Sequence, residues 1–276
     1  MKKEGLLGFA MTVMVWGWGQ TTFLPEDRML FEANLTQLAQ LDNPKDLSEI
    51  GKHFLGTPYV EKTLEIGTTE TVVVNLRGFD CTTFVENTLA FAQLLGQEEQ
   101  DFDSFAKTLE TIRYKNGNLN GYASRLHYFT DWIRTNAQKG LVRDITAELG
   151  GVILEKPIDF MGSHRELYPF LADETNYQGI LAMEKELAKE PLCYLPQDAI
   201  AAQENLLRSG DIIALTTSIN GLDVTHTGIA IRQADGRIHL LHASSSGAVV
   251  ITETPLVTYL KKVKGNIGIM VARPMF

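Results

Sequence analysis

The stretch Val224-Thr-His-Thr-Gly-Ile-Ala-Ile-Arg232, followed by Gln233-Ala-Asp-Gly236 and Arg237-Ile-His-Leu-Leu-His-Ala243, reads as two strands joined by a tight turn. β-Branched and apolar residues crowd both runs, and Asp235-Gly236 between them is a turn signal. The loop length then sets the register. If Ala234-Asp-Gly236 is a three-residue loop with Gly236 in the left-handed conformation, 233 pairs with 237, 228 with 242 and 226 with 244. His226 and His242 then point to one face as diagonal neighbours, a separation that long side chains bridge. A two-residue Asp-Gly loop shifts the pairing by one and sends them to opposite faces. The three-residue loop is the expectation carried forward.

Around this hairpin the pattern is that of strands from Asp211 onward: Ile212 to Thr217, Val224 to Arg232, Arg237 to Ala243, Ala248 to Thr252 and Ile267 to Arg273. Upstream the pattern is helical. Asp46-Leu-Ser-Glu49 has capping-box spacing ahead of the stripe Leu47, Ile50, Phe54 and Leu55, which ends at Gly56. Residues 63 to 76, β-branched around Gly67, suggest a strand pair. Asp80 is then a good N-cap for a helix whose apolar face is Phe84, Val85, Leu89, Ala92 and Leu95. Helices first and a sheet after them predict an α+β fold.

From about 97 to 205 the pattern is mostly helical, with Phe102, Phe105, Leu109 and Ile112 in one stripe and Phe129, Trp132 and Ile133 in another. The Gly/Asn-rich loop 115–121 lies between them. No internal repeat or low-complexity linker separates this segment, so it is expected to pack on the core as an insertion within one domain, 20–276.

The composition, 44% hydrophobic and 21% charged over 276 residues, is that of a globular protein. A net charge of −9 sets nucleic acid and anionic membranes aside as partners. Lys2 and Lys3, the apolar run Leu6 to Trp16 and then Gly17-Trp-Gly19 have the layout of a signal peptide, expected over 1–19. The apolar run is too short to span a bilayer as an ordinary helix. An apolar N-terminal helix packed on the domain is the alternative.

The two cysteines, Cys81 and Cys193, would tend to pair in an oxidising compartment. Their surroundings argue otherwise. Cys193 lies in the proline-bracketed apolar segment 191–196, which reads as extended, buried and inert. Cys81 lies where a helix begins, and unpaired N–H groups and dipole there are expected to lower its thiol pKa. The N–H groups of Cys81 and Thr82 can also donate to the oxyanion of a tetrahedral intermediate. A nucleophilic thiol needs a base. His226 is the candidate, with His242 behind it to fix tautomer and orientation. His53, His127, His164 and His239 read as ordinary core or surface residues, His239 pointing away from the pair. A Cys/His/His zinc site is the other option, but no Cys-x-x-Cys or His-x-x-x-His spacing accompanies it, so no metal or cofactor is expected.

Four segments then resemble the NlpC-type family of papain-like murein hydrolases: Leu55-Gly-Thr-Pro-Tyr59, Phe79-Asp-Cys-Thr-Thr-Phe84, Leu207-Arg-Ser-Gly-Asp-Ile-Ile213, and Thr225-His-Thr-Gly-Ile-Ala230 with Leu241-His-Ala-Ser244. They fall within about 47–96 and 206–275, roughly half the chain. Cys-Thr-Thr-Phe in place of Cys-Ser-Gly-Phe, the strand pair before it, the long insertion and the segment Ser124 to Trp132 resemble the N-acetylmuramoyl-L-alanine amidase-like family within that group. The resemblance implies a papain-like core and hydrolysis of the amide joining muramic acid, in its 1,6-anhydro form, to L-Ala of the stem peptide. It also implies Cys81, His226 and His242 as triad, with Tyr59, Asp80 and Thr82 lining the site. Partners would be peptidoglycan fragments, and the location periplasmic.

An insertion beside a shallow groove can wall off one end and select a short, sugar-capped ligand. Arg125, on that insertion, is a candidate for binding a peptide carboxylate. Two other functions remain open to the sequence: γ-D-glutamyl endopeptidase activity, and a non-catalytic murein-binding module.

Overall fold

The computed structural model describes residues 21–276, so the leader expected over 1–19 lies outside the described residues. The elements in chain order are β1 (Thr21–Thr22), α1 (Pro25–Leu38), α2 (Leu47–His53), β2 (Val72–Val73), α3 (Cys81–Leu94), α4 (Phe102–Arg113), α5 (Phe129–Gln138), β3 (Val142–Asp144) and β4 (Val152–Leu154). There follow α6 (Phe160–Ser163), α7 (Glu174–Leu187), β5 (Leu192–Pro196), α8 (Ile200–Gln203), β6 (Ile212–Thr217), β7 (Val224–Arg232), β8 (Ile238–Ala243), β9 (Val249–Ile251), α9 (Leu256–Leu260) and β10 (Asn266–Pro274). Among the described residues no helix is long and apolar enough to cross a membrane.

The main sheet is antiparallel in the order β4-β5-β10-β6-β7-β8-β9, with β3 also paired to β10. Its centre is buried on both faces, which is why β6 reads Ile-Ile-Ala-Leu-Thr-Thr without a polar-out alternation. Ile212 and Ala214 join the apolar layer shared with α3, α4 and α5, whereas Ile213 and Leu215 join a second layer with Leu256 and Leu260 of α9.

Helix α3 lies against that sheet and is buried almost all round, from Thr83 to Ala92 without a break. Such a helix must satisfy its polar side chains internally. Glu86 takes a 2.8 Å hydrogen bond from Arg113 Nε of α4, and Thr88 Oγ1 donates to the Phe84 carbonyl at 2.7 Å. Asp80 caps the N-terminus: its carboxylate accepts from Thr83 N at 2.7 Å, and Thr83 Oγ1 accepts from Asp80 N at 2.9 Å.

The five expected strands after Asp211 and the helices at 46, 80, 102 and 129 are present. Two expectations are corrected. Residues 63–76 form no strand pair with each other: β2 pairs in parallel with β1, and Gly67 sits in a bend at φ +76°. The insertion is also less helical than its sequence suggests, because β3, β4 and β5 all come from it and extend the sheet beyond β10. It is thus part of the same sheet as the strands carrying the histidines.

Candidate active site

The hairpin register decides the histidine geometry. Ile229 pairs with Leu241 and Arg232 with Ile238, Gln233 N donates to Arg237 O, and Gly236 is left-handed at φ +78°. This is the three-residue loop. His226 and His242 meet accordingly, with Nε2 of His226 2.5 Å from Nδ1 of His242 and the rings perpendicular, centroids 4.8 Å apart. Tyr259 packs its ring edge-on against His242 at 5.5 Å. Burial, and then the proximity of His242, lower the His226 pKa to about 3; burial alone lowers that of His242 to about 4. Both rings are therefore neutral near pH 7.

Cys81 is the first residue of α3 and lines one cavity, of about 150 Å³, together with Thr82 and His226. The cavity's far wall comes from the insertion: His127, Tyr128, Phe129, Met161 and Tyr168. The Asp80 cap engages Thr83 N–H, so the two preceding first-turn amides, those of Cys81 and Thr82, are not the ones it uses. The thiol departs from the sequence expectation. Burial and then the Asp80 carboxylate push its pKa above the ordinary value, and hydrogen bonds from Thr227 and Thr82 only partly counter them. Desolvation of a thiolate outweighs a helix-terminus effect of about 0.3–1 kcal/mol. At rest the cavity is therefore lined by a neutral thiol and a neutral imidazole.

Thr227 was not singled out by sequence. Its hydroxyl donates to the Cys81 carbonyl at 2.8 Å, clamping the start of α3 to β7 one residue from His226. A threonine following a histidine in a strand carries no signal of that role. Asp223 was missed likewise: it lines the Cys81 cavity as a buried carboxylate, accepting from Thr130 N and from Val224 N at 2.7 Å each. It thereby supplies, from the residue before β7, the N-terminal cap that Tyr128 does not give α5.

The remaining expectations divide. Tyr59, bridged to Phe79 and half-buried, lies close enough to Cys81 and Asp80 that burial, followed by those two groups, raises its pKa to about 12. Asp80 lines a second cavity, which Arg125 also lines. Arg125 itself is buried, not presented to solvent, and its guanidinium is ion-paired with Glu65 and, at 3.2 Å, with Glu70. Two carboxylates already match its charge, which weakens it as a free anion receptor. Cys193, on β5, and Cys81 are both free thiols, so no disulfide ties the nucleophile candidate. Cys193 is only half-buried, and burial raises its thiol pKa as well.

His53, His164 and His239 are hydrogen-bonded elsewhere, to Asn34, to the Phe160 carbonyl, and to the Thr252 carbonyl with Asp235. His127 belongs to the cavity wall, and its Nε2 donates to the Tyr122 carbonyl at 2.9 Å. Among the described residues no group of His, Cys, Asp and Glu side chains has the arrangement of a metal site.

Residues 49–269 match the model of a family described as AmiA-like, N-acetylmuramoyl-L-alanine amidase-like. No curated protein matches the chain. Among solved structures, an N-acetylmuramoyl-L-alanine amidase from Bacteroides uniformis is 37% identical, with a TM-score of 0.79 over 87% of this chain and 100% of that one. A protein from Bacteroides fragilis provisionally named as a xylanase is 42% identical, with a TM-score of 0.76 over 81% of this chain and 98% of that one. A Legionella pneumophila protein at 22% identity and TM-score 0.63, over 91% and 94% of the two chains, shares the fold.

Proposed function

Because the chain belongs to the N-acetylmuramoyl-L-alanine amidase-like family, we propose that it is a murein cysteine amidase that cleaves the bond between (1,6-anhydro-)N-acetylmuramic acid and L-Ala of the stem peptide. The observation that carries this reading is the thiol of Cys81 and the ring of His226 lining one cavity, with His242 hydrogen-bonded behind His226 at 2.5 Å. In this reading the core is papain-like: a helix bearing the nucleophile at its first residue, packed on an antiparallel sheet bearing the base.

Two neutral imidazoles sharing one hydrogen bond need one donor and one acceptor. His226 carries its proton on Nε2 and donates it to His242 Nδ1, which leaves the lone pair of His226 Nδ1 for the thiol. The Cys81 proton moves to His226 Nδ1 as sulfur attacks the lactyl carbonyl carbon. The first-turn amides of Cys81 and Thr82 stabilise the resulting oxyanion. The His226 proton passes to the L-Ala nitrogen as the C–N bond breaks, leaving a thioester; water, deprotonated by His226, then releases the muramyl acid and restores the thiol. The raised thiol pKa means that ionisation occurs within this step.

The aromatic wall from the insertion and the small volume of the cavity favour one capped sugar over polymeric wall as ligand. A glycosidase, by contrast, places two carboxylates about one bond, and Asp223 is the one carboxylate among the residues lining the Cys81 cavity. Murein lies outside the cytoplasmic membrane, so we place the enzyme there, in the periplasm, with 1–19 as its leader. Incubation with anhydromuramyl tetrapeptide, followed by mass spectrometry, tests the reading. Release of intact tetrapeptide is expected, with turnover lost by at least about 10³-fold in Cys81→Ala. A dipeptide left on the sugar would instead identify a γ-D-glutamyl endopeptidase, and equal turnover by the variant would remove the nucleophile.

A further inference from the structure

Consecutive residues of β7 engage the nucleophile residue in different ways. Thr225 and His226 line the Cys81 cavity, whereas Thr227 is 1% exposed and does not. Strand alternation puts Thr227 on the face of β7 that carries Ile229 and Ile231, which share an apolar layer with α3. A ligand in the cavity therefore does not reach the Thr227 hydroxyl, which donates to the Cys81 carbonyl at 2.8 Å.

A hydroxyl has one proton to donate. The carbonyl that takes it here has a second donor, because the first residue of an α-helix also accepts from the N–H four residues on. The bond from Thr227 is thus surplus to what the helix needs. The same side chain also bears on the sulfur. Burial and then the Asp80 carboxylate disfavour the thiolate, and hydrogen bonds from the Thr227 N–H, the Thr227 hydroxyl and the Thr82 hydroxyl oppose them, in that order. The Thr227 hydroxyl accordingly has two acceptors on one residue, a neutral carbonyl and, once the thiol proton has left, an anionic sulfur. A hydrogen bond to an ionised acceptor is roughly twice as strong as one to a neutral acceptor. Its preference therefore changes with the charge of the sulfur.

We infer that Thr227 is a positioning residue that switches acceptor: its hydroxyl holds the Cys81 carbonyl while the sulfur is a neutral thiol, and turns about the Cβ–Oγ1 bond to donate to the sulfur as the thiolate forms. The inference rests on the reading of Cys81 as nucleophile and deepens it. No covalent bond is made or broken at the threonine; the thiol proton still goes to His226, and the hydroxyl keeps its own. A contact that strengthens only on ionised sulfur eases the attack without improving substrate binding, so its loss falls on kcat. Threonine suits the place. Two heavy atoms on Cβ restrict χ1 and so hold Oγ1 still, leaving the hydroxyl hydrogen to move, and the burial of the residue keeps out competing water.

The test replaces the hydroxyl by a methyl in Thr227→Val and keeps it in Thr227→Ser, both in a Cys193→Ala chain so that Cys81 is the one thiol. The rate of Cys81 alkylation by iodoacetamide against pH reports the thiolate directly. Its midpoint is expected to rise by about one pH unit in Thr227→Val, roughly a tenfold loss of thiolate at a given pH, and to return most of the way in Thr227→Ser. The other titratable groups about the sulfur are Asp80, Tyr59 and Tyr259, with His226, His127 and Asp223 in the cavity, and all are present in both variants. With anhydromuramyl tetrapeptide, kcat should fall roughly tenfold in Thr227→Val at unchanged KM and recover in Thr227→Ser. An unmoved alkylation midpoint in Thr227→Val would overturn the switch, since a threonine that only clamps the helix leaves the thiolate alone. An equal rise in Thr227→Ser would trace the shift to packing and overturn it too. A raised midpoint, restored by serine, in a chain that cleaves no amide would support the switch and sink the amidase reading.

Discussion

Gly228 shows how closely the histidine pair depends on one residue. It precedes the Ile229–Leu241 pair of the β7–β8 register, and a Cβ built there falls 2.8 Å from the Leu241 carbonyl oxygen and 2.9 Å from His242 Cβ. Neither atom is the far end of a flexible side chain, so the strands must part. Gly228→Ala is expected to cost about 1–3 kcal/mol of stability and to pull His242 off His226. Loss of an orienting triad member lowers kcat by roughly 10²–10⁴. A denaturant midpoint and a turnover rate measured on the same variant check both halves; lost stability with full turnover would mean that the second imidazole does not matter. The pair was legible in the sequence because loop length and strand periodicity fix its geometry. The thiol pKa was not. A helix start is visible in Asp80-Cys81, but the burial that reverses its effect depends on which parts of the chain fold over it.

At the scale of elements, the start of α3 sets two effects of Asp80 against each other. Its carboxylate caps the helix through Thr83 and raises the neighbouring thiol pKa. Asp80→Ala is therefore expected to lose about 1 kcal/mol of stability while the thiol becomes more acidic. Thermal unfolding should report the first effect, and faster alkylation of Cys81 by iodoacetamide at about pH 8 the second. Slower alkylation would show that the cap, not the charge, governs the sulfur. The same contrast of local and distant causes separates the elements that sequence disclosed from those it did not. Strands β6 to β10 carry their own β-branched and apolar runs and turn residues, so their bounds fall within one or two residues of those read from the chain. β3 and β4 are three residues each, and β3 exists because β10 pairs it from 130 residues away, Ala272 opposite Asp144 and Pro274 opposite Val142. Likewise the β-branched run at 71–74 met a distant partner, Thr21–Thr22, where a local hairpin was expected. Arg125 read as a candidate for binding a peptide carboxylate because nothing local reveals Glu65 and Glu70 closing on it.

Across the whole molecule, the site is built by burying groups that would rather be charged, and this makes stability depend on pH. His226, His242 and His127 all have pKa values below the usual 6.5, each first because of burial; the Arg125 cation adds to it for His127. The unfolded chain binds protons at these residues as pH falls through about 6.5 and the folded chain does not. Their contribution is thus present above that pH and is lost on acidification, by about 1.4 kcal/mol per pH unit for each ring. It stops falling only near pH 3 for His226 and pH 4 for His242. Glu70 and Asp223, both raised by burial, act in the opposite sense: their contribution is full below the ordinary carboxylate range and is lost as pH rises through their folded values. Because the two sets offset each other at the acid end, the clean measurement is a difference. His127→Gln keeps a donor for the Tyr122 carbonyl but cannot titrate. Between about pH 6.5 and 5 its unfolding free energy should fall less steeply than that of the wild type, by about 1.4 kcal/mol per pH unit. Parallel curves for the two proteins would mean that His127 takes up its proton within the fold, and that the cavity wall beside Cys81 admits water and charge.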